Sequence, residues 1–543
     1  MNTAGYGSGM TDNVTHYDAI EAYCDRLSYL PGEKASLHVW CGTGQYEVDV
    51  RRWGGDVVWR AEDLTGVAHP TPADADAHGC GWPAGVSVPI GDDWRSGVYL
   101  VTLHAHGAMH DRAFGHAMFV VRAPARQPAA GAGAGAGAKA LLVLATNTYN
   151  AYNDWGGCSL YTGGHQVSFD RPFGRGMIVR PHTERDDRKA RPTHRGEQPD
   201  VDGAIYQQYR GEHGYPAYIG SAGWFTYERR FVEWAEANGV ELDYAVSSDL
   251  ENDPSVLDGY ALVLGVGHDE YWSAGQRDAV EAHVAGGGNY ASFSGNTMFW
   301  QVRFTDNGRS MIGHKYAAHR NDPVVGTPDE RSLSGLWCDP LVGRPEWSFL
   351  GAGSAFGLYS RFGQATPRGS GAFTVYRHDH WLFEGTGLRY GDLLGRDDGV
   401  VGYETVGCRL GLDDFQLPVA VSFEVGGGTT PAAMEVVAFT PSSNLGHGES
   451  PASVASTADQ DDLEFIAGRV YGRIDADTLA RARYGNAVML TCRPFGSPAG
   501  DSGSGEGAPT GQVVTIGTTD WVFGLHDPAV SQVTANVLRR LTA

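Results

Sequence analysis

Between residues 28 and 124 the apolar positions alternate with polar ones in short bursts. SYLPGEKASLHVWC (28–41), YEVDVRRWGGDVVWRAE (46–62), GVSVPI (85–90), SGVYLVTLHAHG (96–107) and GHAMFVVRAP (115–124) are separated by Gly, Pro and Asp clusters. Short period-2 runs at this spacing predict an antiparallel β-sandwich over residues 14–124. After residue 140 the pattern changes. ALLVLAT (140–146), VELDYAVSS (240–248), YALVLGVG (260–267), NYASFSG (289–295) and GQVVTIGTT (511–519) are continuous apolar runs. Helix-period stretches at 225–239, 273–288 and 527–541 alternate with them. Strand and helix in alternation predict a mostly parallel sheet with helices on both faces. The fold class is therefore α/β plus β, with a catalytic unit over 140–543 and an irregular, β-rich insertion at 300–440. Ser273 and Gln276 have the spacing of a capping box, and Gly286 to Gly288 mark that helix's end.

Composition adds boundaries to this pattern. APARQPAAGAGAGAGAK (123–139) has nothing to pack, so residues 125–139 read as a linker. PFGSPAGDSGSGEGAPTG (494–511) reads as a surface loop. Glycine makes up 76 of 543 residues, about twice ordinary usage, which predicts many turns. The net charge of -23 argues against a nucleic-acid or anionic-membrane surface. The densest basic stretch, 180–195, alternates with acids. Neither a leader nor a membrane span is visible, and the seven cysteines contain no CxxC pair. A reduced, cytoplasmic protein is the expectation.

In parallel sheets, sites form where strands end and loops converge. Here the ends carry Tyr149, Tyr152 and Tyr161, then His268, Asp269 and Glu270 in GHDEYWS (267–273), then Asn296 in SGNTMFW (294–300). One carboxylate near a helix start would complement the helix dipole, but two carboxylates and a histidine exceed that need. The parallel unit resembles a class I glutamine-amidotransferase-like fold, yet its strand tips offer neither the cysteine elbow nor a GxSxG serine. Cys158 has no cationic neighbour in sequence to activate it. A bound metal is then the natural electrophile. Imidazole and carboxylate suit zinc or iron, and phenolate oxygens favour a hard trivalent ion, iron(III) above all.

AYNDWGGCSLY (151–161), FDRPF (169–173), GHDEYWS (267–273), SGNTMFW (294–300), VGYE (401–404) and TTDWVFGL (518–525) together resemble the large (beta) subunit family of N,N-dimethylformamidase. The similarity spans residues 140–543, and the N-terminal β region is similar to that family's as well. The resemblance implies an amide hydrolase with one iron, Fe3+, held by Tyr152, Tyr161 and Glu270, with Tyr149 competing for the first tyrosine's role. It implies His268, Asn296 and Glu404 around the metal, with a small amide as substrate. Trp155, Phe299 and Trp300 are expected to wall the pocket, and Asp269 to face away. A homo-oligomer is expected, and a small partner subunit is left open. Two other readings remain at this point: the same fold and metal site with different chemistry, or a non-catalytic binding protein.

Overall fold

The computed structural model describes residues 16–124, 140–180, 213–216, 218–358, 371–402, 404–422, 429–431, 433–443, 457–495 and 510–543. The expected linker at 125–139, most of the basic stretch and most of the 494–511 loop lie outside these residues.

The alternating N-terminal segments form two facing sheets. Ile20–Cys24, Lys34–Cys41 and Ala84–Pro89 make an antiparallel sheet of three. Ser28–Tyr29, Phe114–Val121, Gly97–Ala105, Gln45–Arg52 and Val57–Thr65 make a sheet of five. Its only parallel pair among the described residues is Ser28–Tyr29 with Phe114–Val121. Leu37, Val39, Val48, Val50, Val101 and Phe119 fill the space between the sheets. The inner residues of Gly97–Ala105 and Phe114–Val121 alternate with Val98, Leu100, Met118 and Val120, which enter the core of the α/β part instead. These two strands are thus buried on both faces, and the sandwich shares its apolar surface with the larger sheet. Arg52 adds an ion pair to Glu236 at 2.7 Å across the seam.

Among the described residues the larger sheet has nine strands. Leu242–Val246, Ala140–Leu144, Leu262–His268, Asn289–Gly295 and Val513–Ile516 lie side by side in parallel. Tyr484–Cys492, Met434–Ser443, Phe373–Val375 and Leu393–Leu394 continue it in antiparallel fashion. The sheet is therefore mixed, not mostly parallel, and part of the 300–440 region is built into it. The reversal comes at Tyr484–Cys492, which pairs antiparallel with Val513–Ile516 on one side and with Met434–Ser443 on the other, so the strands added beyond the parallel set need no crossover on the sheet face.

Side chains of the central strands alternate strictly between two cores. Leu142, Leu144, Leu264, Val266 and Phe293 face one side, where Glu228–Ala237 and Pro528–Leu541 bury Phe231, Val232, Val533 and Val537. Leu141, Val143, Val263 and Tyr290 face the other, against Val280 and Val284 of Ala274–Ala285. Each such buried side chain stabilises the fold by roughly 1.5–3 kcal/mol. Ser273 caps its helix by accepting from the Gln276 N–H at 3.2 Å. Gln276 does not close the box, because its side-chain oxygen accepts from Asn147 at 3.1 Å. Among the described residues no helix is long and apolar enough to cross a membrane. All seven cysteines are unpaired thiols.

Gly295 ends its strand where two other segments press close. A Cβ there would lie 2.2 Å from the Glu404 carbonyl oxygen and 2.5 Å from the Thr519 nitrogen. Both neighbours are backbone and cannot swing aside. Gly295→Ala is therefore expected to destabilise the protein by about 2–3 kcal/mol. Gly44→Ala, which meets open space, is the control and should stay within about 0.5 kcal/mol of wild type. Denaturant midpoints of the two variants check this.

Candidate active site

Parallel pairing delivers the first residues. In the register of Leu262–His268 with Asn289–Gly295, His268 lies opposite Gly295, so His268 and Asn296 leave adjacent strands at the same edge. The chain continues from His268 into Glu270, whose carbonyl accepts the Phe299 and Trp300 N–H groups at 3.0 Å each. Its own N–H donates to Thr148 Oγ1 at 3.0 Å. Thr148 belongs to a short helix, Thr146–Tyr152, that follows the strand Ala140–Leu144 and ends on Tyr152. The loop after it folds back so that the Leu160 N–H donates to the Ala151 carbonyl at 3.0 Å, placing Tyr161 beside Tyr152. Arg171 braces that loop. Its buried guanidinium donates to the carbonyls of Trp155 (2.7 Å), Asn153 (2.9 Å) and Ser168 (3.0 Å). Glu404 arrives from the middle of the chain, tied through its carbonyl to the Thr519 N–H at 3.1 Å.

All six residues expected at the site come together. Tyr152, His268, Glu270, Asn296 and Glu404 are each no more than 3% exposed. The Tyr152 hydroxyl lies 2.8 Å from the Tyr161 hydroxyl and 2.9 Å from Glu270 Oε2. The Tyr161 hydroxyl lies 2.7 and 2.9 Å from the two Glu270 oxygens. Trp300 Nε1 donates to Glu270 Oε1 at 2.7 Å, fixing the carboxylate from behind. Opposite them, His268 Nε2 sits 2.8 Å from Glu404 Oε2 and 3.3 Å from Glu270 Oε2. His268 Nδ1 donates to the Ser221 carbonyl at 2.7 Å. Since a carbonyl can only accept, Nδ1 carries a proton and Nε2 is the nitrogen turned to the carboxylates.

The two hydroxyl oxygens and Glu270 Oε2, mutually 2.8–2.9 Å apart, form a compact triangular face. Ligand bonds of ~2.0 Å at right angles place donor atoms ~2.8 Å apart, so the face matches one side of an octahedral oxygen site. The residues fit a hard cation on chemical grounds too. Without one, burial and the Glu270 carboxylate push the Tyr161 phenol well above its ordinary value. Burial likewise raises Glu270, outweighing the imidazole beside it. For His268 burial opposes the charge, but the Glu404 and Glu270 carboxylates prevail and lift it to about 9. An imidazolium between two buried carboxylates is the resulting charge pattern.

Other expected residues go elsewhere. Tyr149 is buried, but its hydroxyl faces Glu228, not Glu270. Asp269 turns toward Gly265 and Tyr290. Burial raises both Asp269 and Glu228 to about 7. Trp300 lines the site through its bond to Glu270, and Phe299 packs on Trp300 at 4.8 Å. Trp155 does not. It packs edge-on to Trp82 of the sandwich at 5.7 Å, because Arg171 holds the loop after Asn153 away from the tyrosines. Burial and the neighbouring Asp76 raise the Cys158 thiol, which disfavours a nucleophilic thiolate.

One residue was not legible in advance. The buried Lys315 ammonium stands 3.0 Å from the centre of the Tyr161 ring. Its backbone is left-handed, with φ of 53°. That conformation is held by hydrogen bonds from His314 and Lys315 to Ser334, which Asp322 and Arg303 anchor in turn. A cation on that ring favours a phenolate oxygen at its edge. No local spacing in the sequence announces the residue. A separate group of metal-ligand type, Glu47, His104 and His106, lies on the outer face of the sandwich and shares no residue with this site.

The phenol and carboxylate oxygens, the His268–Glu404 pair and the Asn296 amide thus meet in one buried cluster. The chain belongs to the family described as N,N-dimethylformamidase beta subunit-like, C-terminal, whose model matches residues 46–534. That span includes most of the sandwich, in keeping with its shared core. The family points to amide hydrolysis. No curated protein matches the chain.

The His268 charge makes a pH prediction for the metal-free protein. Its folded value of about 9 lies above the ordinary ~6.5, so the stability it contributes is complete below ~6.5 and lost as pH rises through 9. The thermal midpoint of metal-free protein should therefore fall between pH 7 and pH 10. In His268→Gln that fall should be distinctly smaller. Equal pH slopes for the two proteins would refute the assignment.

Proposed function

We propose that this protein hydrolyses the C–N bond of a small amide such as an N,N-dialkylformamide, using an iron(III) ion bound by Tyr152, Tyr161 and Glu270. The observation that carries the reading is the oxygen triangle at 2.8–2.9 Å facing the His268–Glu404 pair. Family membership supports the reaction class. The parallel half of the large sheet is compatible with a glutamine-amidotransferase-like arrangement, without its nucleophile elbow. The beta-subunit description supports assembly with further subunits.

Bound in this face, a trivalent ion supplies a Lewis acid that polarises an amide carbonyl and makes hydroxide accessible near neutral pH. The remaining steps belong to the chain. Glu404 Oε2, held by His268 and Asn296, accepts a proton from the attacking water. His268 Nε2 then delivers one to the departing amine nitrogen, which turns a poor leaving group into a neutral amine. The amino group of Asn296 donates to oxygen as negative charge develops there. Lys315 favours the phenolate form of Tyr161 through the ring face. Phe299 and Trp300 keep the site apolar and dry, which strengthens each of these electrostatic contacts.

The test is product analysis. Incubation with N,N-dimethylformamide or a close N-alkyl amide should release amine and carboxylate in equal amounts. Glu404→Gln should lower kcat by about 10²–10⁴-fold while keeping the wild-type metal content. Absence of amine release across a panel of small amides, with metal bound, would overturn the hydrolytic reading.

A further inference from the structure

Asn296 sits at the site in a left-handed conformation, with φ of 50°, and is 1% exposed. A side-chain amide in such a place has two orientations related by a half-turn, and they do opposite chemistry. One presents two N–H donors to the reacting atoms, and the other presents a carbonyl acceptor. The structure contains a partner for each end. Nδ2 lies 3.0 Å from Glu404 Oε2, and Oδ1 lies 2.7 Å from the hydroxyl of Ser354. Nδ2 is also 3.4 Å from His268 Nε2. With Nδ1 engaged by Ser221 and Nε2 turned to the carboxylates, that last approach is between two donors converging on one Glu404 oxygen.

Ser354 is completely buried and lies on Gly353–Leu358, which pairs antiparallel with Thr405–Gly407, the segment that follows Glu404. The serine and the carboxylate thus reach Asn296 on two paired strands. Behind the serine, the chain is pressed against Glu346. A Cβ on Gly353 would lie 2.4 Å from Glu346 Oε1, and Glu346 is itself fully buried. Only a glycine lets the strand come this close, so the Ser354 hydroxyl is delivered at a fixed depth. A hydroxyl can donate to the amide oxygen, whereas a carboxylate cannot.

We infer that Ser354 is a positioning residue: by donating to Asn296 Oδ1 it anchors the amide whose amino group faces Glu404 and the reacting oxygen. A hydroxyl can accept as well as donate, so Ser354 fixes where the amide sits, while the Glu404 Oε2 contact takes the amino end. Ser354 touches neither Tyr152, Tyr161 nor Glu270 in any hydrogen bond of the site, so its role is separate from metal binding. The kinetic consequence rests on the hydrolytic reading, and the anchoring itself does not.

The experiment joins a double-mutant cycle to a measurement that needs no turnover. Ser354→Ala should lower kcat by about 10-fold or more with KM little changed, metal content and absorption spectrum intact. In the Asn296→Ala background, adding Ser354→Ala should produce no further loss, because the amide it positions is gone. Additive losses, or an unchanged kcat in Ser354→Ala, would overturn the inference. The second arm follows the side-chain amide of Asn296 in protein labelled with 15N-asparagine. Its two protons should be protected from exchange in wild type and lose protection in Ser354→Ala. Identical protection in both proteins would refute the anchoring even if no amide is turned over. Lost protection without amide hydrolysis would uphold the anchoring and reject only the hydrolytic reading.

Discussion

The arrangement depends on one costly interaction: two carboxylates and an imidazole buried within hydrogen-bonding reach of each other. His268 Nε2 lies 2.8 Å from Glu404 and 3.3 Å from Glu270, with all three side chains removed from water. Burying isolated charges is prohibitive, and such a cluster persists only when each group is paired and hydrogen-bonded. The surroundings answer that demand group by group. Trp300 and two phenols satisfy Glu270, Asn296 satisfies Glu404, and the Ser221 carbonyl satisfies the other face of the imidazole. The Glu270 carboxyl group, raised by its burial and flanked by two phenol oxygens, is what a cation would complete.

The fold explains why such a cluster can form at all. Parallel strands end at a common edge, and here neighbouring ends carry His268 and Asn296 in register. The separate antiparallel pair of Gly353–Leu358 and Thr405–Gly407 brings in Ser354 and Glu404, which lie 58 and 108 residues beyond Asn296 in sequence. Glycines stand where the segments meet. Gly295 lets the Asn296 strand lie against Glu404 and Thr519, and Gly353 lets the Ser354 strand lie against Glu346. The sandwich is not an appendage to this. Its two doubly buried strands help form the core under the parallel half of the sheet.

Periodicity made much of this legible. The five parallel strands and the helices at 228–237, 274–285 and 528–541 sit within a few residues of where the apolar runs place them. Their signal is strong because each face is buried against a separate core. The antiparallel extension was harder to read. Phe373–Val375 and Leu393–Leu394 are too short to show a period, and Met434–Ser443 mixes exposed and buried positions at its ends. Within the site, His268, Glu270 and Asn296 were visible as polar residues ending apolar strands. Glu404 was reachable only through resemblance, since nothing in VGYE marks a site. Lys315 and Ser354 were not reachable, because both act through contacts made by distant backbone. Trp155 misled for the converse reason: it is close to Tyr152 in sequence, but Arg171 directs the intervening turn toward the sandwich.

Metal analysis combined with an absorption spectrum decides whether the oxygen triangle of Tyr152, Tyr161 and Glu270 holds iron(III), as proposed. About one iron per chain is expected, with a visible phenolate-to-metal band that weakens in both Tyr152→Phe and Tyr161→Phe. A colourless, fully folded protein that neither contains iron nor takes it up on titration would contradict it.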